Sequence, residues 1–355
     1  MKRITLCALL MTLFLLLSCG SGQQSLDSAN GGGAATGGSS LSSVLMEVGR
    51  SAENAFYSFI ELLSGTLGFT AKSTTKKSDV AGYFSSLGAK LGEASDELEK
   101  VAKKSETDVD KGGLNKIIKD AVDTAKATLI TLKTHLEYLG QVGDANKVGD
   151  AATNTQGTTP TDVELKKALK ALQEIVKVAK EKGVKEPEAG NVAVKVGNAD
   201  NKDGVKILAT DAASSVGDAG KAAAIVSSVS GEEMLASIIE STENKAVKIS
   251  NNVTANTTPL EFAKGGNGAH LAQDAALASA VSGGIALRSL VKDGKLASGA
   301  ADGNAGGKEE VQKIGITAAN KLLRAVEDVI KKTVKNVLEQ AKAKIDEART
   351  PKPAA

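Results

Sequence analysis

The sequence is poor in the residues from which disulfides, metal sites and aromatic cores are built. Its 355 residues include no Trp, two Cys and two His, and aromatic residues make up 3% of the chain. Two Cys cannot supply a disulfide framework or a four-cysteine zinc site. His135 and His270 each lack a second His four residues away and a neighbouring Cys. Each is therefore predicted to lie on the surface or to have a satisfied structural role, not to bind a metal.

An excess of charge of one sign is also missing. The chain has 44 basic and 42 acidic residues, and Lys2 and Arg3 account for the difference. A chain that is neutral beyond its first residues lacks the counterion release on which nucleic-acid binding depends, so no nucleic-acid partner is predicted. Acidic residues are interleaved with the lysines near the C-terminus, which predicts a solvated helix face. These lysines are Lys331, Lys332, Lys335, Lys342 and Lys344.

The sequence contains no motif of an enzyme or of a cofactor site. No Gly-Lys pair is followed by Ser or Thr, which excludes a P-loop, and neither G-x-S-x-G nor G-x-G-x-x-G occurs. Residues 108–112 resemble the start of an EF-hand loop, but Lys119 stands where that loop requires a bidentate Glu. We predict a solvated loop there. The acidic clusters at 96–99 and 309–310 have Lys neighbours at helical spacing and are predicted to be exposed.

The first nineteen residues predict a lipidated N-terminus. Two basic residues precede an apolar run over residues 4–17, which has the length of a secretory signal segment. The run ends in Ser18-Cys19, a small residue before a Cys, which resembles a bacterial lipobox. We therefore predict cleavage between Ser18 and Cys19, after which Cys19 carries an N-acyl and an S-diacylglycerol group. The alternative is an ordinary signal peptide with an incidental Cys, or an uncleaved anchor.

Apolar residues recur every three or four positions over five long stretches, which is the period of an α-helix with one buried face. The predicted helices cover residues 41–67, 80–101, 114–139, 165–179 and 322–345. The fourth opens at a capping box formed by Thr161 and Glu164 and closes at Gly183. Two i, i+4 ion pairs are predicted on the last helix, Glu327 with Lys331 and Asp328 with Lys332.

Between residues 184 and 307 the predicted helices are shorter, and Gly, Ala, Ser, Asn and Asp dominate. Capping patterns at residues 230–233 and 258–261 predict two helix starts, the second with Pro259 at its first position. Strand patterns are nearly absent, and only residues 192–196 are a candidate. Further short helices are predicted over residues 205–216, 219–229 and 269–282.

Together these patterns predict an all-α protein, a helical bundle. Its long N- and C-terminal helices are predicted to pack together in a membrane-proximal base, and a Gly/Ala-rich cluster of short helices and loops is predicted to be distal and variable. The predicted parts are a signal peptide (1–18), the lipidated Cys19 with a flexible Gly/Ser tether (19–40), the helical base (41–183 and 308–350), the distal region (184–307) and a disordered tail (351–355).

Four loops are predicted to project outward, because a solvated backbone tolerates substitution and insertion. They cover residues 140–160, 184–204, 251–268 and 298–307. The stretch Ile285–Ala297 has apolar residues near helical spacing instead, so it is predicted to be largely covered.

Several segments of the chain resemble one family. They are the lipobox with Gly20-Ser21-Gly22 after it, the Gly/Ser tether, residues Val48–Leu67 and the C-terminal stretch Asn320–Ile330. They resemble the variable large proteins, the larger class of variable major proteins of relapsing-fever spirochaetes. The stretch Ile285–Ala297 is similar to a block shared with the related variable surface lipoprotein of Lyme-disease spirochaetes. The resemblance implies an abundant outer-surface lipoprotein, one of many copies encoded on plasmids, of which one is expressed at a time to evade host antibodies.

The resemblance also implies where the protein lies and what it meets. It is expected on the extracellular side of the cell outer membrane, bound to outer-membrane lipid through acylated Cys19, with host antibodies as partners. Two other functions stay open. A surface adhesin would bind a host glycosaminoglycan or protein through a local basic face, and a lipid-anchored solute-binding protein would need a polar pocket and usually an α/β fold. Self-association of the chain stays open as well.

Overall fold

All regular structure of the described residues is helical, which confirms the predicted fold class. The computed structural model describes residue 65 and residues 67–105, 114–195 and 199–349. Its α-helices in chain order are α1 (Lys77–Ser105), α2 (Leu114–Leu139), α3 (Asp162–Glu181), α4 (Asp218–Ser227), α5 (Gly231–Ile239), α6 (Pro259–Lys264), α7 (Gly268–Leu271), α8 (Ala278–Leu290) and α9 (Lys308–Arg349). Short 3₁₀ helices cover Lys202–Leu208 and Glu243–Lys245.

Several predictions fall outside these residues. They concern the signal peptide with Ser18 and Cys19, the tether, the first predicted helix up to residue 64, the loop at 108–112 and the tail. Within the described residues β-pairing is limited to isolated bridges. The predicted strand over residues 192–196 is therefore wrong in its described part, where Ala193 makes a single bridge with Leu277.

The long helices pack through the apolar stripes seen in the sequence. α2 lies against α1, α3 and α9, and its Leu129, Leu132 and Leu136 are completely buried. The helices α1 and α2 approach closely, since a Cβ on Gly88 would lie 3.2 Å from the carbonyl oxygen of Lys133. Each leucine buried in this way stabilises the fold by roughly 1.5–3 kcal/mol. The stripes therefore account for the packing of the long helices.

Glu327 of α9 faces inward, which makes its predicted ion pair with Lys331 wrong. Its carboxylate accepts the backbone N–H groups of Gly68 and Phe69, both at 3.2 Å, and the hydroxyl of Tyr83 at 2.6 Å. Burial and the hydrogen bond to Glu327 raise the pKa of Tyr83. The carboxylate is satisfied by these three donors. The ion pairs that join two described residues of α9 to each other are Lys335 with Glu339 and Lys342 with Asp346, not Asp328 with Lys332.

Helices start at all three predicted capping sites, and the capping box forms at two of them. At α5 and α6 the box forms in both directions, because the N-cap side chain and the Glu three residues later each accept the other's backbone N–H. At α3 the helix begins after Thr161 as predicted, but the box does not form: the Thr161 hydroxyl donates to the Glu164 carboxylate at 2.5 Å and caps no backbone N–H. The end of α3 is as predicted, with Gly183 in the left-handed region at φ +80°.

α8 is buried on every side, and this explains why its bounds were mispredicted. Residues 278–289 are all buried, and the helix contacts α1, α4, α5, α6 and α9. A helix without a polar face has no periodic pattern, so the predicted helix over residues 269–282 is in fact divided between α7 and α8. The predicted helix over residues 205–216 is likewise reduced to a 3₁₀ helix that ends at Leu208, because the Thr, Asp and Ser residues after it favour turns.

The C-terminal end of α8 is capped by a lysine from a distant part of the chain. Lys77, the first residue of α1, is completely buried. Its Nζ donates to the carbonyl oxygens of Gly294 (2.6 Å), Val291 (2.7 Å) and Arg288 (3.3 Å). The last carbonyls of a helix lack intrahelical donors and carry the negative end of its dipole, so a cation is favoured there. Burial lowers the pKa of Lys77 to about 8, which leaves it mostly charged at neutral pH.

Two more helices are capped in the same way. At α6, the fully buried Arg288 donates from Nε to the carbonyl oxygen of Ala263 at 2.7 Å. At the end of α4, Nζ of Lys321 donates to the carbonyl oxygens of Val226 (2.7 Å) and Val229 (2.6 Å). Burial lowers the pKa of Arg288 to about 9 and also lowers that of Lys321. These cations tie three short helices to distant parts of the chain.

Candidate functional site

Three loops lie together on the surface, and we call them the loop face. They are residues 152–157, 211–217 and 299–306, and most of their residues are exposed. The first and third loops lie within stretches predicted to project outward, 140–160 and 298–307. The second was predicted to be helical. The turn-forming residues Asp211, Ser214, Ser215 and Gly217 are the sequence signal that could have found it.

The loops of the loop face contact one another directly. The Thr153 hydroxyl donates to Oδ1 of Asp302 at 3.0 Å, which joins the first loop to the third. Gly306, at φ +71°, packs so closely on the second loop that a Cβ there would lie 2.4 Å from the carbonyl oxygen of Val216. The three loops therefore form one continuous surface.

The loop face rests on residues 294–298, which we call the core segment. Leu296, Ala297 and Ser298 are completely buried. Leu296 accepts the N–H of Ala152 and donates its own N–H to the carbonyl oxygen of Asp150, both at 2.8 Å, while Ala297 donates to the carbonyl oxygen of Ile207 at 2.8 Å. The core segment therefore supplies hydrogen bonds to the chain leading into the first two loops.

Acidic side chains hold the core segment and the third loop. The buried carboxylate of Asp150 pairs with Lys295 (3.1 Å) and Lys308 (3.5 Å). At the start of α9, Glu309 accepts the N–H of Gly303 at 2.8 Å and Glu310 that of Gly306 at 2.6 Å. The hydrogen bond from Gly303 lowers the pKa of Glu309. Glu309 is exposed, as predicted, and Glu310 is partly buried. The acidic cluster at 309–310 also orders a loop, a role that the prediction did not include.

The covered stretch Ile285–Ala297 is confirmed. Ile285, Leu287 and Val291 are no more than 2% exposed. The prediction for residues 251–268 is wrong in its second half, because residues 259–266 are buried except for the partly exposed Glu261. There α6 packs against α8, so closely that a Cβ on Gly284 would lie 2.4 Å from the Cβ of Phe262. The predicted helix start at Pro259 was the signal that argued against an outward loop.

The two histidines lie in different surroundings. His270 is partly exposed, and its Nδ1 lies 2.8 Å from Oδ1 of Asn252. His135 packs beside Tyr138 with ring centroids 5.9 Å apart, and its buried Nδ1 has no hydrogen-bond partner. The predicted satisfied role is therefore wrong for this atom. Burial lowers the pKa of His135, which disfavours a charge where no acceptor meets Nδ1.

Charged side chains elsewhere form no concentrated site in the described part of the chain. In the cluster at 96–99, Glu97 pairs with Lys100 and Glu99 with Lys103 and Lys126. A groove of about 280 Å³ between α5 and α9 has basic and acidic walls, the latter at Glu232 and Asp328. Mixed charges of this kind do not select a polyanion.

The described residues were also searched for metal and membrane elements. They hold no group of three or more His, Cys, Asp or Glu side chains able to bind a metal ion. No single helix among them is long and apolar enough to cross a membrane. By length and composition the pair α4 and α5 qualifies together, with a bend of 91° between the two helices.

Comparison with known proteins gives the chain a family. The model of a family described as Borrelia lipoprotein matches residues 52–345. Variable large protein 21 of Borrelia hermsii is 62% identical over 356 residues, which cover 99% of this chain and 97% of the relative. Variable large protein 25 of the same organism is 57% identical over 349 residues, which cover 97% and 95%.

A solved structure shares the fold. The Lyme disease variable surface antigen VlsE of Borrelia burgdorferi superposes with a TM-score of 0.67 over 86% of this chain and 99% of that chain, at 22% sequence identity. This likeness shows that a distant sequence has the same helical fold. The assignment of the chain to a family rests on the family model and on the 62% and 57% identities to the two relatives. The chain belongs to the Borrelia lipoprotein family, and among its relatives there are the variable large proteins of Borrelia hermsii.

Proposed function

We propose that this protein is an antigenically variable outer-surface lipoprotein that serves immune evasion through switching of the expressed copy. The observation that carries the proposal is the 62% identity to a variable large protein along nearly the whole chain. The arrangement of the described residues supports it, because exposed loops stand on a buried helical framework and can change with little loss of stability. No catalytic step is part of the proposal.

The fold speaks against the solute-binding alternative, since such proteins usually have an α/β fold and the described residues form helices only. The adhesin alternative would need a basic face. Exposed Lys331 and Lys332 lie close to Asp328 on α9, and Lys335 is paired with Glu339. Such interleaved charge gives a host polyanion little to recognise.

Anchoring through Cys19 is the part of the proposal that sets the location of the protein. Radiolabelled palmitate fed to cells is expected to enter the wild-type protein and to be absent from the Cys19→Ala variant, because the thiol is the group that receives the lipid. Cys7→Ala is the matched control: Cys7 lies within the predicted signal peptide, so label is expected to persist. Label on Cys19→Ala would contradict the proposed anchor.

The variable epitopes are proposed to lie on the loop face. Replacing residues 152–157, 211–217 and 299–306 with the corresponding loops of another variable large protein is expected to abolish binding of serotype-specific antibody on intact cells. Far-UV circular dichroism and surface display are expected to stay unchanged, because the core segment and the helices are untouched. The reverse exchange is the control, and it is expected to transfer antibody binding to the recipient. Undiminished binding to the first chimera would place the epitopes on the helices.

A further inference from the structure

We propose that the three loops of the loop face form one composite surface for a single antibody paratope, and that the buried Ser298 sets the relative positions of the loops. The inference rests on the proposed function and goes beyond it, because exposed loops could equally be recognised one at a time. It is carried by the hydrogen bonds of the core segment and by the chemistry of the loops.

Ser298 is completely buried and is bonded to the first loop by three hydrogen bonds. Its hydroxyl donates to the carbonyl oxygen of Ala152 at 2.6 Å and accepts the N–H of Asn154 at 2.9 Å. Its backbone N–H donates to the carbonyl oxygen of Thr155 at 3.2 Å. Asn154 has φ 47°, a left-handed conformation uncommon outside Gly. The first loop is thus wrapped around one side chain of the core segment.

The residues on either side of Ser298 hold the other two loops. Gly299 packs on the second loop, where a Cβ would lie 2.4 Å from the carbonyl oxygen of Ser214. The N–H of Gly299 donates to the carbonyl oxygen of Gly306 at 2.9 Å, which closes the third loop. On the other side, the Ser214 hydroxyl donates to the carbonyl oxygen of Ala297 at 3.5 Å. Three loops from separate parts of the chain therefore meet at two consecutive residues.

The size and chemistry of the loop face fit an antibody. The three loops contain about twenty residues, near the 20–30 that one partner contributes to a standard interface. They carry no Lys or Arg, and their charged residues are Asp211 and Asp302. The other side chains are mostly short, so binding orders few flexible groups. A surface of exposed backbone and small polar groups suits the Tyr- and Ser-rich loops of a paratope.

The test uses monoclonal antibodies raised against the folded full-length protein and selected for loss of binding to the loop chimera. Each antibody is titrated against three variants, one for each loop: Gln156→Lys, Val216→Lys and Ala305→Lys. All three side chains are exposed, so folding is expected to be preserved. If the surface is composite, the same antibody loses affinity by about tenfold or more with changes in at least two loops.

The role of Ser298 in positioning the loops is tested with Ser298→Ala and its matched control Ser289→Ala. Both residues are buried, but the Ser289 hydroxyl has no hydrogen-bond partner. Ser298→Ala is expected to lower the affinity of the same antibodies by about tenfold, although Ser298 is buried and no antibody can contact it. It is also expected to speed hydrogen exchange at the Asn154 amide. Ser289→Ala is expected to change neither the antibody affinity nor the exchange rate at Asn154, because it removes no hydrogen bond.

Two results would overturn the inference. One is a set of antibodies that each respond to changes in a single loop, and the other is unchanged antibody binding by a folded Ser298→Ala variant. Neither result would contradict the proposed function. The proposed placement of the epitopes on the loop face fails separately, if no antibody distinguishes the loop chimera from the wild-type protein. Should Ser298→Ala fail to fold, the three surface variants decide between the composite and the independent loops.

Discussion

Val334→Asp is expected to lower the free energy of unfolding by about 4 kcal/mol or more. Val334 lies in α9 and is completely buried, so the variant must bury a carboxylate without a partner or protonate it and bury an unsatisfied hydroxyl. Urea denaturation followed by circular dichroism at 222 nm measures the loss. An effect this large would unfold a substantial part of the molecules under mild conditions.

The matched control is Gln340→Asp, which adds the same negative charge to an exposed position of the same helix. It is expected to cost about 0.5 kcal/mol or less, mostly through the weaker helix propensity of Asp. Equal stabilities of the two variants would mean that the face of α9 containing Val334 is open to solvent.

Lys77→Met is expected to cost roughly 2–4 kcal/mol. Methionine fills a similar volume without a donor, so the carbonyl oxygens of Val291 and Gly294 lose their hydrogen bonds in a place removed from water. The variant no longer buries an ammonium group, and this offsets part of the loss. Thermal and urea denaturation of the full chain measure the difference.

Lys76→Met provides the comparison, because the side chain next to Lys77 is exposed. The same substitution there is expected to change stability by about 0.5 kcal/mol at most. If both variants unfold at the same urea concentration, the lysine cap contributes nothing to the stability of α8, and burial alone explains its position.

The parts of the fold that could be predicted from the sequence are those with a one-sided pattern. The leucines of α2 recur on one face, so both the helix and its buried residues Leu129, Leu132 and Leu136 followed from spacing. α8 could not be placed in this way, because all of its faces are buried. The burial of Lys77 could not be predicted from the sequence either. Beside Lys76 it looks like one of two surface lysines, and its burial depends on carbonyls 211–217 residues further along the chain.

The loop face was predicted in part. Gly, Asn and Ala marked its first and third loops, and local composition is enough to find such segments. That these loops meet a second loop around Ser298 is a tertiary fact, since residues 154 and 298 are 144 positions apart. No local pattern carries that information. The same limit applies to Glu309 and Glu310. Their partners are backbone N–H groups of the third loop, and helical spacing cannot predict a hydrogen bond to a loop.

The cationic helix caps also bear on the order in which the chain folds. The lysine that caps α4 lies 92–95 residues after the carbonyls it binds, and the carbonyls that satisfy Lys77 come more than 200 residues after it. Contacts of such separation form only after large loops have closed, which is slow. A growing chain that has reached residue 320 still lacks the donor for α4. The C-terminal end of α4 therefore gains its lysine donor only once α9 has packed against it.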